Sequence, residues 1–432
     1  FCIANLLPIL VLLPIFGSIF LLFVSNKNVT FIRQFGLFVS FLVFFLSLFL
    51  WLFFDCTYVR FQFVYDFIWV SSSNLNFSLG IDGISIFFLL LTTLLIPLCL
   101  LASWNSVTKS VKEYVIAFLI MESFLILVFS VRDLLLFYIF FESVLIPMFI
   151  IIGVWGSRER KVRASYMFFL YTLLGSVLML LSILYIYFRV GTTDYETLLT
   201  FQFTFNEQRF IWLAFFASFA SKVPMLPVHI WLPEAHVEAP TAGSVVLAGI
   251  LLKLGSYGFL RFSLPLLPEA SLYFTPFIFA LSILGVIYPS LTAIRQTDLK
   301  RIIAYTSVAH MNLVMIGLFS FNAVGLEGAI LQSLSDIKVK YSPVKKFNNK
   351  HNNVFVKGYK FGLMALEFKK FSDPNEDAYY KDFLDLLDTD PKVGNDLGII
   401  KVAFVRDSSK CSIAKIQSSG YKARHFLGIA PQ

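Results

Sequence analysis

The sequence predicts an all-α polytopic membrane protein of about ten to eleven transmembrane helices, one of them broken, followed by a polar C-terminal tail. Three observations predict it. Of 432 residues, 58% are hydrophobic and only 14% charged, against roughly 25% charged in soluble domains. A soluble chain of this size must cover itself with polar side chains, and a bilayer removes that demand. Apolar runs recur at lengths of about twenty residues, enough to cross roughly 30 Å of hydrocarbon. The composition then changes abruptly at Asp336. Phe alone supplies 51 residues, which suits lipid-facing helices and is equally what an AT-rich coding sequence produces.

The runs follow in order. Residues 3–24 lack a basic leading region and a small-residue cleavage site, so they read as a span and not a signal peptide. With Phe1 in first place, the natural start is expected upstream. Further runs lie at 31–54, 84–104, 113–131, 133–154, 165–188, 209–229, 240–262, 271–294 and 300–320. An eleventh begins near Val324 and stops at Leu334; at 1.5 Å per residue it reaches about 16 Å and cannot cross. Cys2, Cys56, Cys99 and Cys411 stand far apart, which leaves no disulfide framework and no Cys-x-x-Cys clip.

Two domains are expected: a membrane part over 1–335 and a basic, soluble or disordered tail over 336–432. The membrane part has a net charge of +2 and the tail +6, so the basic balance says nothing of nucleic acid. Loop charge sets orientation. Lys27, Arg33, Lys109, Lys112, Arg158, Arg160, Lys161, Arg163, Arg295, Lys300 and Arg301 follow or flank the odd-numbered spans. Arg60, Arg132, Arg189, Arg209 and Arg261 lie at the other end. The richer set is expected to face the negative compartment, with the N-terminus opposite.

Ionisable residues inside such runs are costly and mark function by default. Glu142 lies in mid-span, Lys222 beside Pro224 and Pro227, and Lys253 near the centre of the eighth run. Glu122 and His310 form a secondary polar set. Lys and Glu can share a proton directly or through water, and burial disfavours the charge on either unless the two pair. Pro224 and Pro227 each remove a backbone N–H and break the helix beside Lys222; a broken span next to a Lys is typical of transporter ion sites. The plainer alternatives are a static pairing of Glu142 with Arg132 or with a neighbouring helix, a Lys222 that only snorkels or caps carbonyls, and a hydrogen-bonded core role for His310. His229, Glu234, His236 and Glu238 lack helical metal-ligand spacing, and no metal is expected.

Five segments then carry a specific resemblance: LGIDGIS (79–85), DLLLFYIFFESVLIPMFIIIGVWGSRERK (133–161), FLYTLLGS (169–176), the run from Lys222 to Phe262, and DLKRIIAYTSVAHMN (298–312). Over residues 1–335 the chain resembles subunit 4 of the NADH:ubiquinone oxidoreductases, the respiratory complex I family, in a mitochondrial style of wording. The resemblance implies an antiporter-like fold of about fourteen helices, with two inverted repeats each holding a broken helix. It implies a proton relay through Glu142, Lys222 and Lys253, with Glu122 and His310 as a secondary polar axis. The implied partners are the other membrane-arm subunits and the lipid bilayer, in the mitochondrial inner membrane, with no nucleic acid. NADH, FMN, iron–sulfur clusters and ubiquinone are expected on those other subunits, and no cofactor on this chain.

The sequence departs from that family at Asp336, where a span carrying a His is expected. Most of the second repeat is therefore expected to be missing. The tail resembles no known family, and its EFKKF and YKDFLDLLD stretches suggest short helices. An intron read-through or chimeric product without pumping activity is one alternative, and a cation/proton antiporter subunit is another. With span ten returning the chain to the positive side, the basic tail begins there against the usual bias, and impaired assembly is the expectation.

Overall fold

The computed structural model describes residues 6–55, 60–70, 75–340, 400–407 and 410–418. Two compact units meet between Ile337 and Lys338. The first begins with α1 (Leu6–Phe23) and α2 (Val29–Leu52), both almost wholly apolar. Span length alone assigns nothing between the second and third spans. That segment folds as an antiparallel hairpin of β1 (Gln62–Val70) and β2 (Leu75–Ile81), with Phe67 opposite Phe77. Its aromatic and β-branched side chains fit a pleated, half-covered surface.

Helices α3 (Ser85–Ala102) and α4 (Val111–Ser130) follow. The fifth span is interrupted: α5 (Leu134–Ser143) gives way at Val144 to α6 (Leu145–Trp155). Pro147 has no N–H to offer the Ser143 carbonyl, which accounts for a weak point there. Asp133 caps α5, accepting from the N–H groups of Leu135 and Leu136. The long α7 (Lys161–Val190) stops at Gly191, whose φ of +84° closes the helix as a C-terminal glycine does. After the short α8 (Tyr195–Thr200), α9 (Phe205–Lys222) opens with a capping box of Thr204 and Glu207.

The sequence places a span at 209–229, but the helix ends at Lys222 and resumes as α10 (Trp231–Glu238). The next span, Thr241–Leu266, comprises α11 (Thr241–Val246), α12 (Leu252–Gly258) and α13 (Leu264–Leu266), joined by π-helical turns at Leu247–Leu251 and Phe259–Ser263. Helices α14 (Pro268–Arg295) and α15 (Leu299–Leu318) complete the long spans. Nine helices among the described residues are long and apolar enough to cross a membrane; the broken α9–α10 pair stands outside that set.

The eleventh apolar segment has the expected extent. It covers Ala323–Leu334, yet α16 continues through Asp336 to Lys340. Apolar patterning marks the face a helix buries, whereas the backbone hydrogen bonds that extend it are indifferent to polarity, and Lys338 and Lys340 are good helix formers. The change of composition therefore falls inside a helix. The second unit contains, among described residues, a hairpin of β3 (Ile400–Asp407) and β4 (Lys410–Ser418). The expected EFKKF and YKDFLDLLD helices lie outside the described residues.

Burial separates core from rim. In Thr241–Leu266 and α4, 83% and 78% of the apolar stretch is buried, against 28% in α14 and 33% in α7. The latter expose Leu174, Phe188, Leu284 and Leu291, a surface suited to lipid.

The loops gather at two ends, alternating along the chain. At one, Arg33 donates to the Val107 carbonyl, Lys112 to those of Leu22 and Val24, and Trp155 to that of Lys109. There Ser157 N–H meets the Glu238 carbonyl, Arg158 pairs with Asp298 at 2.6 Å, and Lys300 donates to Val237 and Ala239. The hairpin end joins Asp66, Asp82, Arg132, Glu196 and Arg261.

Candidate functional site at the broken helix

At the end of α9, Val223 N–H still reaches the Phe219 carbonyl (2.8 Å), but Pro224 has no N–H and Met225 bonds one residue further back, to Ala220 (3.0 Å). The Ser221 carbonyl, left without its helical donor, accepts instead from the indole of Trp231 in α10 (2.8 Å). The two helix halves are thus tied across the gap by a side chain, as irregular backbone at membrane depth requires.

Lys222 points from this break to the interruption of the fifth span. Its Nζ lies 2.6 Å from the Phe141 carbonyl oxygen and 3.3 Å from Glu142 Oε1, with the Phe141 ring centroid at 3.4 Å. The Lys222 side chain is 3% exposed and that of Glu142 13%. The break after Lys222 therefore faces the weak point ahead of Pro147 in the fifth span, and each side contributes one ionisable group. The sequence reading located the break at Pro224 and Pro227. It missed the weak point at Val144, for which Pro147 was the signal.

Close helix approach makes the arrangement possible. A Cβ on Gly175 of α7 would stand 2.6 Å from the Ala217 carbonyl and 2.9 Å from Ser221 Oγ. A Cβ on Gly255 of α12 would stand 2.8 Å from the Phe219 carbonyl and 3.1 Å from Val223 N. Both neighbours of α9 are packed against the turn that carries Lys222, and no larger residue fits there without displacing backbone.

Lys253 has no exposed surface and lies in α12 two positions before Gly255, on the helix that adjoins the break. Helical spacing puts Tyr257 and Arg261 on its face. Tyr257 OH is 2.8 Å from Ser85 Oγ, and Arg261 pairs with Asp82 at 2.6 Å. Glu122 sits apart, in α4, fully buried, with neither carboxylate oxygen hydrogen-bonded among the described residues. His310 is half-buried in α15, which packs on α10, α12 and α14.

Arg132 is engaged by Asp66 (3.7 Å) and Glu196 (3.1 Å), and the cation beside Glu142 is Lys222 of the neighbouring α9. Glu234 faces Arg301 at 4.0 Å, and the His229 ring meets Tyr288 edge-on. Among the described residues no group of three His, Cys, Asp or Glu side chains could hold a metal ion. The Asp82–Arg261 pair was not foreseen. LGIDGIS was singled out as a motif, but nothing in a single sequence says that Asp82 and Arg261 meet.

Residues 131–345 match the family model described as the NADH:quinone oxidoreductase/Mrp antiporter transmembrane family. The NADH-ubiquinone oxidoreductase chain 4 of Arabidopsis thaliana is 63% identical over 326 residues, which is 76% of this chain and 66% of that protein. The chain 4 of Prototheca wickerhamii is 60% identical over 350 residues, 78% of this chain and 67% of that protein. The chain thus spans about two thirds of the length of the curated relatives it matches. A chain in the structure of respiratory complex I from Thermus thermophilus superposes with a TM-score of 0.70 at 28% identity, over 77% of this chain and 69% of that one. The broken helix, the multi-pass architecture and these matches agree, and the chain belongs to the NADH-ubiquinone oxidoreductase chain 4 family of antiporter-like membrane proteins.

Proposed function

We propose that this chain serves as subunit 4 of a proton-translocating NADH:ubiquinone oxidoreductase in the mitochondrial inner membrane. In this reading Glu142 and Lys222 exchange a proton, and Lys253 takes the next position. The observation that supports it is the Lys222 amine, enclosed at a helix break, 3.3 Å from the Glu142 carboxylate and 2.6 Å from a backbone carbonyl.

Two opposite charges held this close in a poorly hydrated interior stabilise each other, and separating them changes the proton affinity of both. A small movement of α5 against α9 therefore converts a mechanical or electrostatic signal into proton release or uptake. The broken backbone beside Lys222 gives the pair room to move without unwinding a continuous helix. The other membrane-arm subunits are its partners, and the redox groups and quinone belong to other subunits of the complex.

The test is Glu142→Gln and Lys222→Ala in the assembled complex, reading proton translocation and quinone reduction together. Both are expected to depress pumping-linked quinone reduction. Unchanged activity in both removes the assignment. The family description also names Mrp antiporters, so a cation/proton antiporter subunit is the second reading; sodium flux without quinone reduction would favour it.

A further inference from the structure

The hairpin end of the bundle carries a second group of buried charge that the relay does not use. Residues 131–134 are stitched on both sides: Arg132 N–H donates to the Ser78 carbonyl of β2, Leu134 N–H donates to the Thr193 carbonyl, and the Arg132 carbonyl accepts from Tyr195 N–H. In the resulting pocket the Phe61 ring lies between two guanidiniums, Arg132 at 4.9 Å and Arg261 at 4.4 Å. Tyr195 also lies against Arg261, at 4.5 Å, and meets Phe61 edge-on. Gly80 makes the space, since a Cβ there would come within 2.6 Å of Arg132 Cδ and 3.2 Å of Phe61 Cβ.

The charges are ordered in depth. Asp66 and Glu196 are 59% and 51% exposed, whereas the Arg132 and Arg261 side chains are 9% and 12% exposed. Below Arg261, on the same helix face, stand Tyr257 with its Ser85 partner and then Lys253. From Lys253 to Arg261 the rise is about 12 Å at 1.5 Å per residue. A polar ladder thus leads from the mid-depth lysine straight towards the hairpin end. Its last rung is a guanidinium, which stays protonated and has no acceptor to offer a proton. With Asp66, Asp82 and Glu196 paired to the two guanidiniums, the barrier here is the packed ring and the lack of a proton acceptor on either guanidinium, not a net positive field.

We propose that Phe61, clamped between Arg132 and Arg261, is a seal. It stops protons on Lys253 from leaving through the hairpin end along their own helix. The proposal rests on the relay reading for what it seals, but its test does not require turnover. The full chain is reconstituted into liposomes holding a pH-sensitive dye, and the decay of an imposed pH difference is followed without any electron donor. Phe61→Ala is expected to speed the decay at least fivefold. Phe61→Leu, which keeps most of the packed volume but offers the guanidiniums no ring face, is expected to fall between it and the parent chain.

If both variants insert with the parent's protease resistance and both hold the gradient as long as the parent, the seal is refuted. The same holds if Phe61→Ala cannot insert and Phe61→Leu holds the gradient. Adding Lys253→Met separates the two ideas. Suppression of the Phe61→Ala leak supports both the seal and the relay. A leak that persists undiminished leaves the seal standing and counts against the relay, because water and not Lys253 then carries the protons.

Discussion

Positive charge is buried in two regions of this molecule, and the two regions use different residues. At the hairpin end the carriers are Arg132 and Arg261, each fixed by carboxylates and by the Phe61 ring. At mid-depth they are Lys222 and Lys253, one of them at a helix break with Glu142 within 3.3 Å. Arg holds its proton under all ordinary conditions and spreads its charge over a planar fork suited to stacking and bidentate bonds. Lys is a compact ammonium that burial readily persuades to give its proton up. The difference teaches that charge alone does not describe the interior: on the proposed relay reading, permanent charge stands where a path would end and exchangeable charge where one would run.

The largest expected effect comes from exchanging the two chemistries. Lys222→Arg keeps the positive charge next to Glu142 and adds hydrogen-bond donors, yet removes the exchangeable proton. Proton translocation in the assembled complex is expected to fall at least tenfold, which is about 1.4 kcal/mol or more in the barrier, with assembly retained. Parent-level pumping would show that the charge suffices and dissolve the contrast. Lys222→Ala serves as the reference, since it also leaves Glu142 buried without its cation, a loss of about 3–5 kcal/mol for a well-buried pair.

The second expectation concerns the packing that sets the break. Gly255→Ala puts a methyl 2.8 Å from the Phe219 carbonyl and 3.1 Å from Val223 N, and backbone cannot swing aside as a side chain can. Overpacking of this kind costs about 1–3 kcal/mol. A lower thermal midpoint with weakened pumping is expected, because the displaced turn carries Lys222. The hairpin end is more forgiving. Arg261→Lys retains a cation for Asp82 but loses the planar stack on Phe61 and Tyr195, worth about 1 kcal/mol. Thermal unfolding in detergent should register a correspondingly smaller drop than Gly255→Ala, and an equal or larger drop would mean the hairpin end is the more rigid region.

How much of this was legible beforehand follows from how local each signal is. Span positions, the broken helix and the candidates Glu142, Lys222 and Lys253 are written in short windows, because apolar length, paired prolines and an isolated charge need no partner to be seen. The Lys222–Glu142 contact joins residues 80 apart in the chain, and the Asp82–Arg261 contact joins residues 179 apart. No window contains either. The β1–β2 hairpin escaped because a segment with Asp66 and Gln62 among its aromatics has no bilayer-length run. The continuation of α16 from Leu334 to Lys340 is not written in apolar patterning, because backbone hydrogen bonding does not follow polarity. Gly175 and Gly255 lay inside quoted motifs, but what each glycine makes room for is visible only once the neighbouring helix is in place.

The smallest expected effect lies at the opposite end, on the Arg158–Asp298 pair, and it bounds what exposed charge contributes. Asp298 is held below the ordinary aspartate range. Burial, the largest single influence, acts upward, but the Arg158 hydrogen bond, the Lys300 N–H and the charges of Arg158 and Arg301 together outweigh it. Asp298→Asn preserves a side-chain acceptor for the Lys300 N–H that caps α15 and removes only the charge. Arg158 is 48% exposed, so screening limits the loss to about 1 kcal/mol or less. A carboxylate whose folded pKa is depressed stabilises fully above its unfolded value near 4 and loses that contribution as the pH falls through the folded value. The stability difference between parent and Asp298→Asn is therefore expected to be present at neutral pH, to shrink below about pH 4, and to shrink again in concentrated salt. A difference that survives acid would mean Asp298 acts through its capping geometry, and the contrast between exposed pairs and the enclosed Glu142–Lys222 pair would then rest on burial alone.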